Sequence, residues 1–250
     1  MIARIVLVLF ALGAATFAVR ADELKVLTTG AMKPFLLEVI PGFQQDSKQT
    51  VSLDNDTAGA LVKRIQGGAA FDVVLLTPAG IEELAKAGKV SPGVDLARVG
   101  IGVMVKAGAP RPDIGTVDAL KRTLLAAKSV AYIDPASGGS SGIYLARLWE
   151  RLGIADALKP KAKLKQGGAV ADLIVSGEAE IGFQQASEII ASPGVTLVGQ
   201  LPEEIQNYTI YSGAISTSAQ LPAAAAAFIA WLRRPAMAPI LQAKGLLPPQ

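Results

Sequence analysis

The sequence predicts an α/β fold arranged as two lobes around a ligand cleft. Three observations carry this reading. Short apolar runs alternate with helix-period segments over residues 24–87, and the same alternation resumes over 117–199. Between them, Gly108-Ala109-Pro110-Arg111-Pro112 is a clear break.

A strand at 24–27 runs into Thr28-Thr29-Gly30-Ala31-Met32-Lys33-Pro34. Pro34 suits a first helical position, and Phe35, Leu36, Val39, Ile40 and Phe43 then recur at helical spacing. A strand at 50–53 leads through a turn, Asp54-Asn55-Asp56-Thr57-Ala58-Gly59, into a helix carrying Leu61, Val62 and Ile65. Gly67 and Gly68 end it. Residues 71–76, apolar except for Asp72, read as a buried parallel strand, and a helix at 81–87 closes on Gly88. Residues 99–106 form a further strand.

The second series comprises a helix at 117–126, a strand at 129–133, a small-residue loop at 134–142 and a helix at 143–152. An extended piece at 163–165, a helix at 169–176, a strand at 180–183 ending at Gln184-Gln185, and a strand at 195–199 follow. A last strand at 208–216 and helices at 223–232 and 236–243 fit best on the first lobe. Lobe I is therefore expected to comprise residues 22–101 and 207–250, and lobe II residues 102–206. Trp149 and Trp231 lie on apolar helix faces and read as core.

Residues 1–21 are expected to be a signal peptide. Arg4, an apolar run over 5–12 and a small-residue exit through Val19-Arg20-Ala21 have the layout of a secretory signal, cleaved after Ala21. A spanning helix needs about 20 apolar residues, and Arg4 and Arg20 bracket only 15. A periplasmic location is expected. With no cysteine, a lipid anchor on a +1 cysteine is impossible.

Composition excludes several functions. Lys plus Arg number 24 against 21 Asp plus Glu, and without Arg4 and Arg20 the balance is close to neutral. No Lys/Arg-rich run with interleaved aromatics marks a nucleic-acid surface. The absence of both histidine and cysteine removes His-based acid–base catalysis, Ser-His and Cys-His nucleophile pairs, and nearly all zinc and copper sites. No metal, cofactor or catalytic residue is expected, although carboxylate chemistry stays open in principle.

Four strand-to-helix junctions share one chemistry: residues 28–33, 55–59, 137–142 and 166–168. Each sets glycine or small residues beside hydroxyl or amide groups just before a helix. A helix N-terminus offers unpaired N–H groups and the positive end of the helix dipole, which suits an anion. Capping alone accounts for any single junction. The loop at 137–142 spends more positions on glycine and serine than a cap requires, and it reads as a binding loop.

Thr28-Thr29-Gly30-Ala31-Met32, the run from Asp134-Pro135 to Ser141-Gly142-Ile143-Tyr144, and Gly177-Glu178-Ala179-Glu180-Ile181-Gly182 carry a resemblance. In the same order, over nearly the whole chain, they resemble the periplasmic molybdate-binding proteins of ABC importers. The resemblance implies a type II periplasmic-binding fold whose lobes close on a tetrahedral oxyanion through serine hydroxyls, backbone amides and one tyrosine hydroxyl. It also implies that a small anion is passed to a membrane permease, while the paired α/β units and the absence of histidine and cysteine give the expectation of a metal-free monomer.

Carried across residue by residue, the family's first serine falls on Ala31 and its second near Ala58 or Gly59, beside Thr57. One backbone donor falls on Ser141 and another on Gly167 or Gly168, while the tyrosine falls on Gln185. The donors are expected to favour a small anion, with an organic carboxylate a rival to molybdate. The candidate ligand-binding set is Thr29, Gly30, Ala31, Lys33, Asn55, Thr57, Ala58, Gly59, Ser137, Ser140, Ser141, Gly167, Gly168, Gln184 and Gln185. The alternative is a secreted enzyme acting on a small organic acid, for which only Lys33, Asp54, Asp56 and Asp134 are placed to serve. A cleft lacking all four would exclude it. Asp54 and Asp56 otherwise read as helix caps rather than metal ligands.

Overall fold

The computed structural model describes residues 23–249, so the expected signal segment and its cleavage point lie outside the described residues. The first series is β1 (Leu24–Thr29), α1 (Lys33–Ser47), β2 (Val51–Asp56), α2 (Ala58–Gln66), β3 (Val73–Leu76), α3 (Pro78–Lys86) and the long β4 (Val94–Lys106). The second is α4 (Val117–Ala126), β5 (Val130–Ile133), α5 (Ser140–Arg151), α6 (Ala155–Leu158), β6 (Ala162–Lys165), α7 (Ala171–Val175), β7 (Ile181–Gln185), α8 (Ala186–Ile190) and β8 (Val195–Gln200). The chain ends with β9 (Tyr208–Ile215), α9 (Pro222–Leu232) and α10 (Met237–Ala243).

Strand pairing follows the order β2-β1-β3-β9-β4-β7-β5-β6, with β8 also on β4. β1 runs parallel to both β2 and β3, and β9 lies antiparallel between β3 and the first half of β4. The second half of β4 pairs antiparallel with β7 and β8, and β5 runs parallel to β6 and β7. One strand thus belongs to both lobes. At its middle, Ile101 donates its N–H to Gln206 Oε1 at 2.9 Å and accepts from Gln206 Nε2 at 3.1 Å. The side-chain amide of the returning segment clasps the strand where it leaves one lobe for the other.

Each lobe buries apolar side chains on both sheet faces. In the first, Phe35, Leu36, Phe43 and Phe228 pack on one side and Leu61, Ile65, Ile81 and Leu84 on the other. In the second, Leu145 and Trp149 of α5 cluster with Phe183 of β7 on one side, while Met104 and Ile133 cluster with Ile174 of α7 and Ile189 of α8 on the other. Trp149 is core, edge-on to Phe183 with ring centroids 5.3 Å apart. Trp231 is only partly buried, with the Arg234 guanidinium 4.0 Å above its ring.

Two local readings are corrected. Residues 54–56 are strand, because parallel pairing with β1 extends through Thr29 and Asp56. Neither Asp54 nor Asp56 caps α2; Thr57 does, accepting from the Ala60 N–H. Asp54 and Asp56 instead face Arg64 as ion-pair partners. The other departure is α8, a helical turn directly after β7 that the sequence pattern does not announce.

Asp72, the polar interruption of an apolar run, is 1% exposed. It accepts three backbone N–H groups: Lys25 at 2.9 Å, Gln220 at 2.7 Å and Leu221 at 3.0 Å. Its carboxylate ties β1 to the start of α9. Replacing it with alanine leaves buried donors unpaired, at about 1–3 kcal/mol each. Asp72→Ala is expected to lower unfolding stability by about 2–5 kcal/mol, read from urea denaturation; a loss within the error of the fit would contradict the assignment.

Candidate functional site

A cleft of about 340 Å³ opens between the lobes. The first lobe supplies the end of β1, the start of α1, the end of β2 and the start of α2. The second supplies the start of α5, the end of β7, α8 and the segment before α7, and β9 contributes Tyr211. These are largely carboxyl ends of strands and N-termini of helices, where open α/β sheets bind ligands.

Of the fifteen candidate residues, the cleft brings together Thr29, Gly30, Ala31, Lys33, Asn55, Thr57, Ala58, Ser140, Ser141, Gly168, Gln184 and Gln185. Gly59, Ser137 and Gly167 lie outside its lining, and each is instead at a contact between lobes. The Gly59 N–H donates to Gly138 O at 3.1 Å, and Thr57 Oγ1 donates to Ser137 O at 2.6 Å. Gly167 lies against the Thr57 methyl group. The lobes meet backbone to backbone. A methyl on Gly59 would lie 2.9 Å from Gly138 Cα, and one on Gly138 would lie 2.7 Å from Gly59 Cα.

The contact sets the N-termini of α2 and α5 on opposite walls. α2 is capped by the Thr57 hydroxyl, whereas Gly139 at the head of α5 has no side chain to offer, which leaves that terminus open to a ligand. Ala31 and Ala58 present no hydroxyl to the cleft. The family tyrosine position, Gln185, is buried, and its Nε2 donates to Thr209 Oγ1 at 2.9 Å and Ser140 Oγ at 3.2 Å. A phenol is nevertheless present, because Tyr211 brings its hydroxyl to 3.4 Å from Ser140 Oγ. Burial raises its pKa, so it stays a neutral hydrogen-bonding group.

Charge in the cleft comes from three side chains. Lys33 is exposed at the start of α1 and forms no ion pair among the described residues. Asp56 is balanced by Arg64 at 3.6 Å and accepts the Thr57 N–H at 2.8 Å. Asp54 and Asp134 do not line the cleft; Asp134 is spent on Ala136 N–H and Gln166 Nε2. The third charged group is Glu188, on α8, which sequence reasoning missed.

Glu188 keeps some exposure because its side chain forms part of the cleft wall, yet its carboxyl sits deep among protein atoms. Desolvation pushes its pKa from the ordinary 4.5 up to about 8, against a smaller opposing effect of its bond from Gln184. Gln184 Nε2 donates to Glu188 Oε1 at 2.8 Å and to Gly168 O at 2.9 Å, while its Oε1 accepts the Val170 N–H at 2.8 Å. One amide thus fixes both the carboxyl and the loop before α7. On its other side the carboxyl lies against Gly30, where an added methyl would sit 2.4 Å from Oε1. Ser187 Oγ, donating to Ala31 O at 2.8 Å, pins the helix to the first lobe.

Residues 24–247 match the family model described as "Bacterial extracellular solute-binding protein". The chain belongs to the bacterial extracellular solute-binding proteins. It is 36% identical over 235 residues to the aconitate isomerase of a Pseudomonas species, covering 90% of this chain and 87% of that one. It is 26% identical over 254 residues to the molybdate-binding protein ModA of Azotobacter vinelandii, covering 94% of each. The solved periplasmic molybdate-binding protein of A. vinelandii superposes with a TM-score of 0.76 at 20% identity, over 91% of this chain and 100% of that one. The sulfate-binding protein SubI of Mycobacterium tuberculosis gives 0.74 at 19% identity, over 90% and 86%. This solute-binding protein thus has the type II periplasmic-binding fold, with two lobes and a cleft between them. No helix among the described residues is long and apolar enough to cross a membrane.

Two outcomes follow for this solute-binding protein. Gly59→Ala forces the lobes apart at their contact, so affinity for any cleft ligand should fall by about tenfold or more, the equivalent of about 1.4 kcal/mol. Small-angle scattering should then show a larger radius of gyration than wild type at saturating ligand; equal radii and affinities would contradict the contact's role. The second outcome concerns pH. Folded Glu188 holds its proton up to about 8, whereas the unfolded chain releases it near 4.5. Its stabilising contribution is complete below the lower value and is lost as pH rises through the higher one. The urea midpoint should carry a decline across that window that Glu188→Gln flattens; an unchanged slope in the variant would assign the decline elsewhere.

Proposed function

We propose that the cleft binds a small unsaturated di- or tricarboxylate and that the protein interconverts its isomers by moving a proton along the carbon chain. The observation that carries this reading is the placement of a desolvated carboxyl, Glu188, in the wall of a cleft that also presents Lys33 and the open N-terminus of α5. An anion held by the cation and the helix end would lie beside a group able to take and return a proton near neutral pH. The aconitate isomerase relative, at 36% identity over most of both chains, supports the same substrate class.

The lining argues against a tetrahedral oxyanion as the preferred ligand. Ala31 and Ala58 stand where the resemblance calls for serine hydroxyls. Each lost hydrogen bond to a charged group is worth about 1.5–3 kcal/mol, so two such losses weaken binding by roughly a hundredfold or more. The volume of about 340 Å³ is several times the share of about 30 Å³ that one water occupies. That is ample for a six-carbon acid and generous for a five-atom oxyanion.

A second reading is favoured by the family match and by the two lobes joined through β4. It is a periplasmic capture protein that closes on the same acid and delivers it to an ABC-importer permease. Titration calorimetry against molybdate, sulfate, phosphate, cis- and trans-aconitate and the saturated tricarballylate distinguishes ligand classes. Proton NMR of cis-aconitate with catalytic amounts of protein follows isomerisation. The expected result is tricarboxylate binding with conversion towards the trans isomer. Carboxylate binding without conversion would leave the capture reading, and tight molybdate binding with no carboxylate response would overturn both.

A further inference from the structure

Glu188 is an unusual residue to find where it is. Its carboxyl approaches the backbone of Gly30 closely enough that any side chain there would collide with it. Among the described residues the carboxyl makes no ion pair, and the only side-chain hydrogen bond to it comes from the neutral amide of Gln184. A carboxylate retained for structure would be expected to face a cation or several backbone donors, as Asp72 does. Glu188 faces a ligand cleft instead.

We infer that Glu188 is the proton-carrying catalytic residue of the cleft, removing a hydrogen from the CH₂ next to the double bond of a bound unsaturated acid and returning a proton at the far end of the allylic system. The inference rests on the isomerase reading above. In the first half-step the C–H bond breaks, the proton passes to a Glu188 oxygen, and the electron pair spreads over the three-carbon system and its carboxylates. In the second, the carboxylic acid gives that proton to the former vinyl carbon, and the double bond is left in the adjacent position. Atoms and electrons balance without an oxidant or cofactor.

The surroundings suit each half-step. Negative charge that builds on the substrate carboxylates is met by Lys33 and by the open N-terminus of α5. The raised pKa makes Glu188 a stronger base than an exposed carboxylate while keeping it titratable near neutral pH. Gln184 holds the carboxyl in one orientation, and being neutral it leaves the group free to change charge.

Other titratable groups near Glu188 are few. Lys33, Asp56 and Tyr211 line the same cleft. Of the strands that pack on α8, β4 is charged at Asp95, Arg98 and Lys106, while β7 and β8 carry no charged side chain. Gly245 also touches α8, and its neighbour Lys244 is paired with Glu38.

The test uses the intact protein with cis-aconitate in D₂O, following deuterium wash-in and isomerisation by NMR, with binding measured separately by calorimetry. Wild type should exchange and isomerise, with kcat/KM rising as pH climbs towards about 8. Glu188→Gln should bind within a few-fold of wild type and lose exchange by about a hundredfold or more, in the range removed with a general base. Glu188→Asp should recover part of the rate. No isomerisation by wild type would sink the isomerase reading and this inference with it. Exchange retained in Glu188→Gln, or a wild-type rising limb below about pH 5 where ordinary carboxylates titrate, would overturn the inference alone.

Discussion

The organisation of the cleft depends on a contact that contains no side chains on its closing face, the apposition of the Gly59 and Gly138 backbones. There the two lobes approach within hydrogen-bond distance peptide to peptide, with Thr57 adding its hydroxyl to the Ser137 carbonyl. The rest of the cleft geometry is a consequence. Thr57 also caps α2, so the residue that orders one helix terminus sets its distance from the opposite lobe. The carboxyl of Glu188, packed against Gly30 and Gln184 in the same cleft, has its pKa lifted by desolvation. Glycine at both positions is demanded by close approach, and at Gly138 also by a φ of +77°.

The site keeps the electrostatic logic of an anion receptor while changing its instruments. Hydroxyls are absent at Ala31 and Ala58, and the amide nitrogen of Gln185 is occupied by Ser140 and Thr209, while its Oε1 is buried without a partner. Tyr211 supplies a phenol from a different strand. Lys33 adds a full positive charge that helix ends alone do not provide. The result is a cleft with donors on opposite walls and open room between them.

Much of the architecture was legible because it rests on periodicity. Phe35, Leu36, Val39, Ile40 and Phe43 mark α1 at helical spacing, and all five are buried. Twelve candidate residues meet in one cleft because junction chemistry, glycine with hydroxyls before a helix, is local and visible. The misses have physical causes. Asp54, Asn55 and Asp56 look like a turn by composition, but as part of an outer strand their side chains can reach solvent or Arg64 while their backbone pairs with β1. The five residues of α8 are too few to show a period, and nothing local distinguishes Glu188 from a solvated glutamate. Its carboxyl packs against Gly30, which is 158 positions away in the chain. A two-residue coincidence of that kind leaves no trace in a single sequence.

The place of β9 in the sheet has a consequence for how the molecule is made. It lies between β3 and the first half of β4, yet it consists of residues 208–215 of a 250-residue chain. Until those residues have been synthesised, β3 has an open edge and the first half of β4 lacks its ladder partner among the described strands. The second lobe is different: its strands lie within residues 101–200, so its pairings are available first. Long-range pairing of this sort is slow to form. The sheet of the first lobe is therefore completed only after every strand of the second lobe has been synthesised.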